Sequence, residues 1–352
     1  MDYAELLDAA FRARDRGGDP SVQVTTLPGD ASSRRYYRIE WGPGSTCIWM
    51  ALADDLLKSD EVVDGDRPTT LPFLEVGDYL RRGGIPVPQV LHVDLDRRAI
   101  LLEDLGDVTL ERALQQGNDK DDLYRRAVDL LADLHAWAAR SPDPSCIAFR
   151  RRFGPGLLAW EVDHFETWLL REWAGMTPTP AEARVLEEFR RDLVDRLVGL
   201  PQGFVHRDYQ SRNLMVAEGR LRLIDFQDAL QGPWVYDLVA LLRDSYVSFN
   251  PEETRAIRRA YLEARRDRGL AAPGEEESEE AFHLQALQRK LKDAGRFVYI
   301  DRVRGNPKFL PNIPRSLAYV REALDHLPRY RAFRDLLEDR LGPRGVFPGA
   351  GR

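Results

Sequence analysis

Residues 203–226 alternate short apolar segments with polar residues, and this stretch restricts the fold more than any other part of the 352-residue chain. An apolar run at 203–205 leads into the polar sequence His206-Arg207-Asp208-Tyr209-Gln210-Ser211-Arg212-Asn213. Two strand-like segments, 214–216 and 221–224, then flank a short turn and end at Asp225. This pattern predicts a β-hairpin. Because the two ends of a hairpin lie side by side, we expect Asp225 to return to a position beside Asn213.

The spacing of these polar residues indicates phosphoryl-transfer chemistry. The pattern H-x-D-x-x-x-x-N followed by D-F is typical of kinase-type enzymes. A hydroxyl that attacks a γ-phosphate needs a carboxylate near its proton, and Mg²⁺ needs oxygen ligands held close to that carboxylate. We therefore predict Asp208 as the catalytic residue, acting as the base or as the group that orients the hydroxyl, and Asn213 and Asp225 as metal ligands. A single Asp in a loop is usually a turn former, but three residues at this spacing favour a catalytic interpretation. His206 is predicted to stabilise the loop.

The distribution of strands and helices predicts an α+β protein with two lobes. The first hundred residues contain a predicted helix at 2–16, a loop at 54–70, a helix at 71–82, and strands at 21–27, 35–41, 46–52, 89–94 and 98–103. Beyond them, apolar residues at three- and four-residue intervals predict long helices at 121–139, 157–174 and 180–199. We predict a nucleotide-binding lobe at 1–105 and a helical lobe with the catalytic loop and acceptor site at 106–352.

Composition excludes several classes of protein. Acidic residues exceed basic ones by 58 to 51, which gives a formal charge of −7 and argues against a nucleic-acid partner. No apolar run reaches the roughly 20 residues needed to cross a bilayer. Cys47 and Cys146 lie far apart, without a CxxC motif or clustered histidines in the sequence, so neither a disulfide scaffold nor a zinc site is predicted. We expect a monomeric cytoplasmic protein with a small-molecule partner and no membrane partner.

The turn between the first two strands is a candidate phosphate-binding loop. Its small residues would let backbone amides approach nucleotide phosphates, although hairpin turns are often rich in Gly and Ser for conformational reasons alone. The predicted nucleotide-binding residues here are Gly29, Asp30, Ala31, Ser32, Ser33 and Arg34. The turn lacks a G-x-G-x-x-G pattern. Arg34 and Arg35 either add positive charge at the phosphates or are solvated residues at the edge of a strand.

Several blocks of the sequence resemble the aminoglycoside phosphotransferase-like superfamily of small-molecule kinases. The likeness is greatest to its branch of anomeric sugar kinases, which act on N-acetylmuramate and N-acetylglucosamine in bacterial cell-wall recycling. The blocks are GDASSRRYYRI at 29–39, LPFLEVGDYLRRGGIPVP at 71–88, LLEDLGD at 101–107, HRDYQSRNLM at 206–215, IDFQDALQGPWVYDLVALLRDSY at 224–246 and GRFVYIDRVRGNPKFLPNIPR at 295–315.

The resemblance implies a protein-kinase-like fold with a small antiparallel-sheet lobe and a large helical lobe. It implies ATP and Mg²⁺ as cofactors, with Asp208 as base and Asn213 and Asp225 on magnesium. It also implies that 29–34 cover the phosphates and that Glu103 to Leu105 form the adenine hinge. The implied reaction transfers the γ-phosphate of ATP to the C1 hydroxyl of the sugar in peptidoglycan recycling.

Two departures from the kinase pattern stand out. Protein kinases offer a lysine from the third strand to the α- and β-phosphates, whereas Cys47-Ile48-Trp49-Met50-Ala51-Leu52 has none and Met50 occupies the place. Either Arg34 or Arg35 substitutes, or magnesium and loop amides neutralise the phosphates. In addition, Gln227 replaces the glycine of the D-F-G motif.

The nature of the acceptor is predicted from charge. Segment 287–315 holds eight cationic and two acidic residues, an excess of six positive charges, and the lactyl carboxylate of N-acetylmuramate favours such cations. We predict that Arg302 or Arg304 lines the acceptor pocket together with Arg243 and Gln210. The alternative is a solvated helix with separated charge blocks, because the acidic run 275–280 precedes the segment.

Two other functions compete with the sugar kinase. One is a kinase of another small hydroxylated acceptor, such as an aminoglycoside, a choline-like alcohol or a different sugar. The other is a catalytically silent nucleotide-binding regulator, which the missing third-strand lysine would suit.

Overall fold

The computed structural model describes residues 2–16, 22–27, 34–52, 64–65 and 70–347. Its helices are α1 (Tyr3–Arg16), α2 (Pro72–Arg82), α3 (Leu110–Gln115), α4 (Lys120–Arg140), α5 (Pro155–His164), α6 (Pro180–Gly199), α7 (Tyr236–Leu242), α8 (Pro251–Asp267), α9 (Glu275–Arg304), α10 (Ile313–His326) and α11 (Arg331–Leu341). Its strands are β1 (Gln23–Thr26), β2 (Arg35–Glu40), β3 (Thr46–Ala51), β4 (Asp64–Gly65), β5 (Val90–Asp94), β6 (Ala99–Glu103), β7 (Arg151–Arg152), β8 (Gln202–Val205), β9 (Leu214–Ala217), β10 (Arg220–Leu223) and β11 (Leu230–Pro233).

The described residues form two compact units. The first contains 2–16, 22–27, 34–52, 70–117 and 212–228, and the second contains 64–65, 118–211 and 229–347. Among the described residues, no helix combines the length and the apolar character that crossing a membrane would require.

An antiparallel sheet in the order β1-β2-β3-β6-β5 organises the first unit. Alternation of side chains along β3 places Cys47 and Trp49 in one core cluster with Leu6 and Leu7 of α1. Met50 is fully buried and pairs across the sheet with Tyr36 and Ile100. The predicted helix at 2–16 and the predicted antiparallel sheet are therefore confirmed.

The hairpin β9–β10 belongs to the first unit although it lies about a hundred residues further along the chain. Val216 N donates to Val108 O at 2.7 Å, and Leu223 N donates to Pro86 O at 2.7 Å. These bonds attach the hairpin to the segments that surround the sheet. The first compact unit therefore extends to Gly117 and also includes 212–228. The sequence predicted a single boundary between residues 105 and 106.

Helices dominate the second unit, and their first residues explain where two of them begin. Thr179 and Asn250 each precede a proline, and each side chain accepts a hydrogen bond from a backbone N–H three residues later. Glu182 and Glu253 return the bond to the cap residue, so both helices start with a complete capping box. The core joins side chains of α5, α6, α9, α10 and α11.

Several elements of the structure differ from the sequence prediction. The predicted helix 157–174 is α5 continued by a π-helix, Phe165–Trp173. β4 lies inside the predicted loop 54–70, most of which falls outside the described residues, and β4 pairs with β7. β7, β11 and α3 were not predicted, because segments of two to six residues carry too little periodicity to identify.

Gly295 marks the closest approach of α9 to the junction between α5 and the π-helix. A Cβ atom at this position would lie 2.7 Å from His164 O and 2.8 Å from Phe165 Cα. Backbone atoms cannot yield as a flexible side chain does, so the crossing requires glycine.

We expect Gly295→Ala to lower the free energy of unfolding by about 1–3 kcal/mol because it overpacks this crossing. Gly156→Ala in α5 is the matched control, since its Cβ would meet no atom within 4 Å and alanine favours a helix. Urea denaturation of both variants measures the effect. Equal stability of the two variants would contradict the role assigned to the crossing.

Candidate active site

In the second unit, the loop 206–211 is held by a buried carboxylate. Asp237 is fully buried in the first turn of α7 and accepts hydrogen bonds from two successive backbone amides, His206 N at 2.7 Å and Arg207 N at 3.0 Å. Hydrogen bonds to an ionised acceptor are about twice as strong as neutral ones. Asp237 therefore fixes the backbone immediately before Asp208.

Arg207 adopts a conformation that is unusual for a residue with a side chain. Its φ is 83°, a region that costs of order 1–3 kcal/mol for a non-glycine residue. The surroundings enforce this conformation: the buried Arg207 guanidinium lies 3.4 Å from the buried Glu161 carboxylate of α5. Strain of this kind, held by several contacts, is common at functional loops.

Arg289 of α9 connects the loop to the long helix. Its Nη1 donates to Arg207 O and to Tyr236 Oη, both at 2.8 Å, and its Nη2 lies 3.3 Å from Asp208 Oδ1. Arg289 is 2% exposed, whereas the Asp208 side chain keeps 30% of its surface exposed. The ion pair therefore orients a carboxylate that still reaches solvent.

The far end of the same loop is anchored in a similar way. Asp244 accepts a hydrogen bond from Ser211 N at 2.9 Å and another from the Ser211 hydroxyl. Burial raises the pKa of Asp244, although the bonds from Ser211 and Tyr246 oppose that shift. Two carboxylates from the segment after β11 thus hold both ends of 206–211.

In the first unit, the hairpin brings the backbone of Asn213 next to the residue before Asp225. Ile224 N donates to Asn213 O at 3.1 Å, as the sequence pattern predicted for the ends of a hairpin. Asp225 has a φ of 65°, so its backbone, like that of Arg207, lies in the left-handed region that glycine favours. Gln227 Nε2 donates to Asp225 Oδ1 at 2.9 Å and so fixes the orientation of that carboxylate.

The donor set at this hairpin fits a divalent metal ion. Asn213 and Asp225 offer amide and carboxylate oxygens, the hard ligands that Mg²⁺ prefers. Gln227 Oε1 is buried and has no hydrogen-bond partner, which is unusual for a polar atom and leaves a further oxygen in the same turn. Phe226 anchors the turn by stacking on Phe73 with ring centroids 5.0 Å apart.

The predicted nucleotide-binding residues are only partly described. Gly29 to Ser33 lie outside the described residues, and Arg34 is half-buried just before β2. Glu103 ends β6, where its carboxylate accepts from Gln89 N at 2.9 Å and pairs with Arg222 at 2.5 Å. Leu105 follows and is largely buried. The nucleotide roles of Arg34, Glu103 and Leu105 stay predictions.

An ion pair braces the segment predicted as the adenine hinge. Arg38 of β2 binds Asp104 through Nε and Nη2 at 2.6 and 3.0 Å, and its Nη2 also lies 2.9 Å from Asp107. Burial alone would raise the pKa of Asp104, but Arg38 and the Gly106 amide hold it below its usual value. Asp104 therefore keeps its charge and fixes the turn at Gly106.

The structure separates the predicted acceptor residues. Gln210 lies in the turn that contains Asp208, and its backbone N–H donates to Asp208 O at 2.9 Å. Arg243 is 2% exposed and pairs with Glu322, so its guanidinium is committed to helix packing, which differs from the predicted pocket lining. Arg302 and Arg304 are exposed near the end of α9. At 1.5 Å per residue they lie about 20 Å along the axis from Arg289, far beyond the length of an arginine side chain.

The sequence interpretation missed the residues that support Asp208. Asp237, Asp244, Glu161 and Arg289 contact the loop from positions 30 to 82 residues away in sequence. The sequence carried no local signal for these roles, because each contact joins residues that are far apart along the chain. A buried charge normally implies a partner of opposite charge or a set of hydrogen bonds.

Comparisons with known proteins agree with this geometry. Residues 23–274 match the model of the phosphotransferase enzyme family. An N-acetylmuramate/N-acetylglucosamine kinase of Pseudomonas putida is 30% identical over 95% of this chain and 93% of its own length. A protein of the same name from Pseudomonas aeruginosa is 31% identical over 94% and 92%. The structure of an amicoumacin kinase in complex with AMP-PNP and Ca²⁺ has a TM-score of 0.56 at 16% identity, covering 99% of this chain and 96% of that one.

The chain therefore belongs to the phosphotransferase enzyme family, and its fold is the protein-kinase-like fold of small-molecule kinases. Within that class it is a phosphotransferase with a hydroxyl group as acceptor.

We expect Gln227→Ala to raise the magnesium concentration that gives half-maximal activity by about tenfold or more, because Asp225 loses the amide that orients it. Phosphoryl transfer measured across a magnesium titration gives the value. Gln231→Ala is the control, since this glutamine bonds Ala148 O in the second unit and contacts no predicted metal ligand. An unchanged magnesium requirement in Gln227→Ala would contradict the assignment.

Proposed function

We propose that this protein transfers the γ-phosphoryl group of ATP to the C1 hydroxyl of N-acetylmuramate or N-acetylglucosamine. The observation that carries the proposal is the Asp208 carboxylate, oriented by Arg289 yet open to solvent, in a chain that matches kinases named for these two sugars along almost its whole length. The proposed setting is peptidoglycan recycling.

Asp208 would accept the proton of the attacking hydroxyl. Arg289 Nη2 lies 3.3 Å from Asp208 Oδ1, and the Asp208 side chain keeps 30% of its surface exposed, so an acceptor can reach this carboxylate from solvent. The strained backbone at Arg207 and the two amide bonds to Asp237 keep this carboxylate in one orientation before the acceptor arrives. Such preorganisation is the main means by which an enzyme of this type lowers its barrier.

Asn213 and Asp225 would hold the magnesium ion that accompanies ATP. When bound, the ion neutralises charge on the phosphate oxygens. Asn213 follows Asp208 by five residues, so the chain itself limits their separation to less than about 18 Å. The structure of the amicoumacin kinase of similar fold is a complex with AMP-PNP and Ca²⁺, which supports a divalent ion and a nucleotide in this fold.

Several cations of α9 follow one another next to the arginine that pairs with Asp208. From α9, Arg289, Lys290 and Lys292 are buried in the same stretch as a single acid, Asp293. Burial lowers the pKa of Lys290, but the Asp293 carboxylate 2.7 Å away opposes that shift. Aminoglycosides carry several positive charges and need a pocket rich in carboxylates. These cations are buried in the helix packing, so the support for an N-acetyl amino sugar, whose N-acetyl group is uncharged, comes from the match to kinases named for N-acetylmuramate and N-acetylglucosamine.

The test is turnover with ATP and a panel of acceptors, followed by phosphorus NMR of the product. We expect phosphorylation of the two N-acetyl amino sugars, with the phosphate on C1, and little with kanamycin or choline. Asp208→Asn should lower kcat by about 10²–10⁴-fold, because it removes the base and keeps the shape.

Each other result of this experiment excludes the proposal. A product phosphorylated at C6 would overturn the assigned position, and preferential turnover of choline would overturn the acceptor class. Nucleotide binding without turnover of any acceptor would favour a silent regulator. Full activity in Asp208→Asn would remove the assigned base.

The predicted acceptor role of Arg302 and Arg304 is tested separately. Because they lie about 20 Å along α9 from Arg289, we expect Arg302→Ala and Arg304→Ala to change the KM for either sugar by less than about twofold. Steady-state kinetics with both sugars provides the measurement. A rise in KM for N-acetylmuramate alone would show that the lactyl carboxylate reaches these arginines.

A further inference from the structure

Two histidines and a glutamate meet at a place that the phosphoryl-transfer chemistry does not use. Glu279 and His283 lie one turn apart near the start of α9, and His326 is the last residue of α10. Their ligand atoms all lie within 4.8 Å of one another. They line a cavity of about 390 Å³ together with Glu276, Glu280, Leu327, Pro328 and Arg329. In the part of the chain that the structure describes, this is the one such group of three or more.

The distances leave room for an ion. Glu279 Oε1 lies 3.8 Å from His283 Nε2 and 3.8 Å from His326 Nε2, too far for a hydrogen bond in either case. In a tetrahedral zinc site with bonds of about 2.0–2.1 Å, neighbouring ligand atoms are about 3.3 Å apart. Each of the two distances from Glu279 Oε1 is therefore about 0.5 Å longer than the separation of neighbouring ligand atoms around a zinc ion.

The second ring nitrogen of His326 has a backbone partner. His326 Nδ1 lies 2.9 Å from Glu322 O, and because a carbonyl only accepts, Nδ1 is the donor in this contact. A histidine that ligates a metal usually donates its other ring nitrogen in this way.

The charges around the group are also compatible with a cation. Glu276 adds a third carboxylate to Glu279 and Glu280 at the cavity, while Arg329 pairs with Glu280 at 2.7 Å. Arg258 lies 3.8 Å from Glu279 Oε1, the only cation this close to that carboxylate among the described residues. The two imidazole rings stack with their centroids 3.9 Å apart and an angle of 10° between their planes, and the His326 ring is exposed to solvent.

We propose that Glu279, His283 and His326 form a binding site for a divalent transition-metal ion, with zinc as the best match, and that water completes the coordination. Two imidazoles and a carboxylate are a common ligand set for zinc, and three protein ligands leave one position open. The ion would tie the beginning of α9 to the end of α10.

The proposal is tested on the full chain without a polyhistidine tag. After removal of metal with a chelator, the protein is titrated with Zn²⁺ in competition with a chromogenic chelator. We expect one equivalent bound to the wild type, and affinity at least about tenfold weaker in His326→Ala and in Glu279→Gln. His326 is exposed and Glu279 is only half-buried, so these variants should fold. His92→Ala in β5 is the matched control and should bind zinc as the wild type does.

Two further readouts separate a built site from adventitious binding. Bound Co²⁺ should show the intense visible absorption of a four-coordinate site in the wild type and lose it in His326→Ala. Zinc should raise the unfolding temperature of the wild type but not of Glu279→Gln, because binding to the folded state alone stabilises it. If the wild type binds zinc no more tightly than His326→Ala, or if His92→Ala weakens binding equally, the proposal is wrong and the histidines are only a stacked pair.

Discussion

The buried carboxylate of Asp237 is the interaction on which the catalytic loop depends. It accepts from two consecutive amides, and the second of them belongs to Arg207, whose backbone is strained. An isolated ionised carboxylate in a protein interior would cost several kcal/mol, so it persists only because those amides satisfy it. The same bonds offset the strain at Arg207. These amide bonds to Asp237 therefore also determine the orientation of Asp208, because its backbone continues directly from Arg207.

Helix α9 supplies a second set of contacts to the loop. Arg289 reaches both Arg207 O and Asp208 from one face, and Gln288 bonds Glu161, the partner of Arg207. Gly295 lets this helix approach the α5 backbone closely enough for these contacts. A buried arginine with several acceptors is better suited than lysine to this task because its planar fork can bind several groups at once. Helix α9 thus positions the catalytic loop, supplies the positive charge that pairs with Asp208, and packs closely on α5.

The first unit departs from the protein-kinase pattern at its third strand and at the turn that follows the hairpin. Protein kinases place a lysine on the third strand for the phosphates, whereas here Met50 is buried in the sheet. The glutamine that follows Asp225-Phe226 bonds the Asp225 carboxylate, a contact that a glycine at this position could not make. An orienting side chain suits a turn with one fixed conformation. It does not suit the activation flip that the glycine of protein kinases permits.

Sequence alone determined the local features of this protein, and tertiary structure decided the long-range ones. Asn213 and Asp225 could be paired in advance because a short hairpin connects them, and the alternation of apolar residues identified the first-unit sheet. The roles of Asp237 and Arg289 had no local signal, since each acts on a loop 30 to 81 residues away. The sugar contacts predicted for Arg302 and Arg304 stay predictions, because a run of positive charge does not specify which turn of α9 faces Asp208. His283 and His326 are 43 residues apart in sequence, so only the packing of α9 against α10 brings their rings together. Spacing along a chain specifies neighbours within one turn or hairpin, whereas burial against a distant element selects the remaining partners.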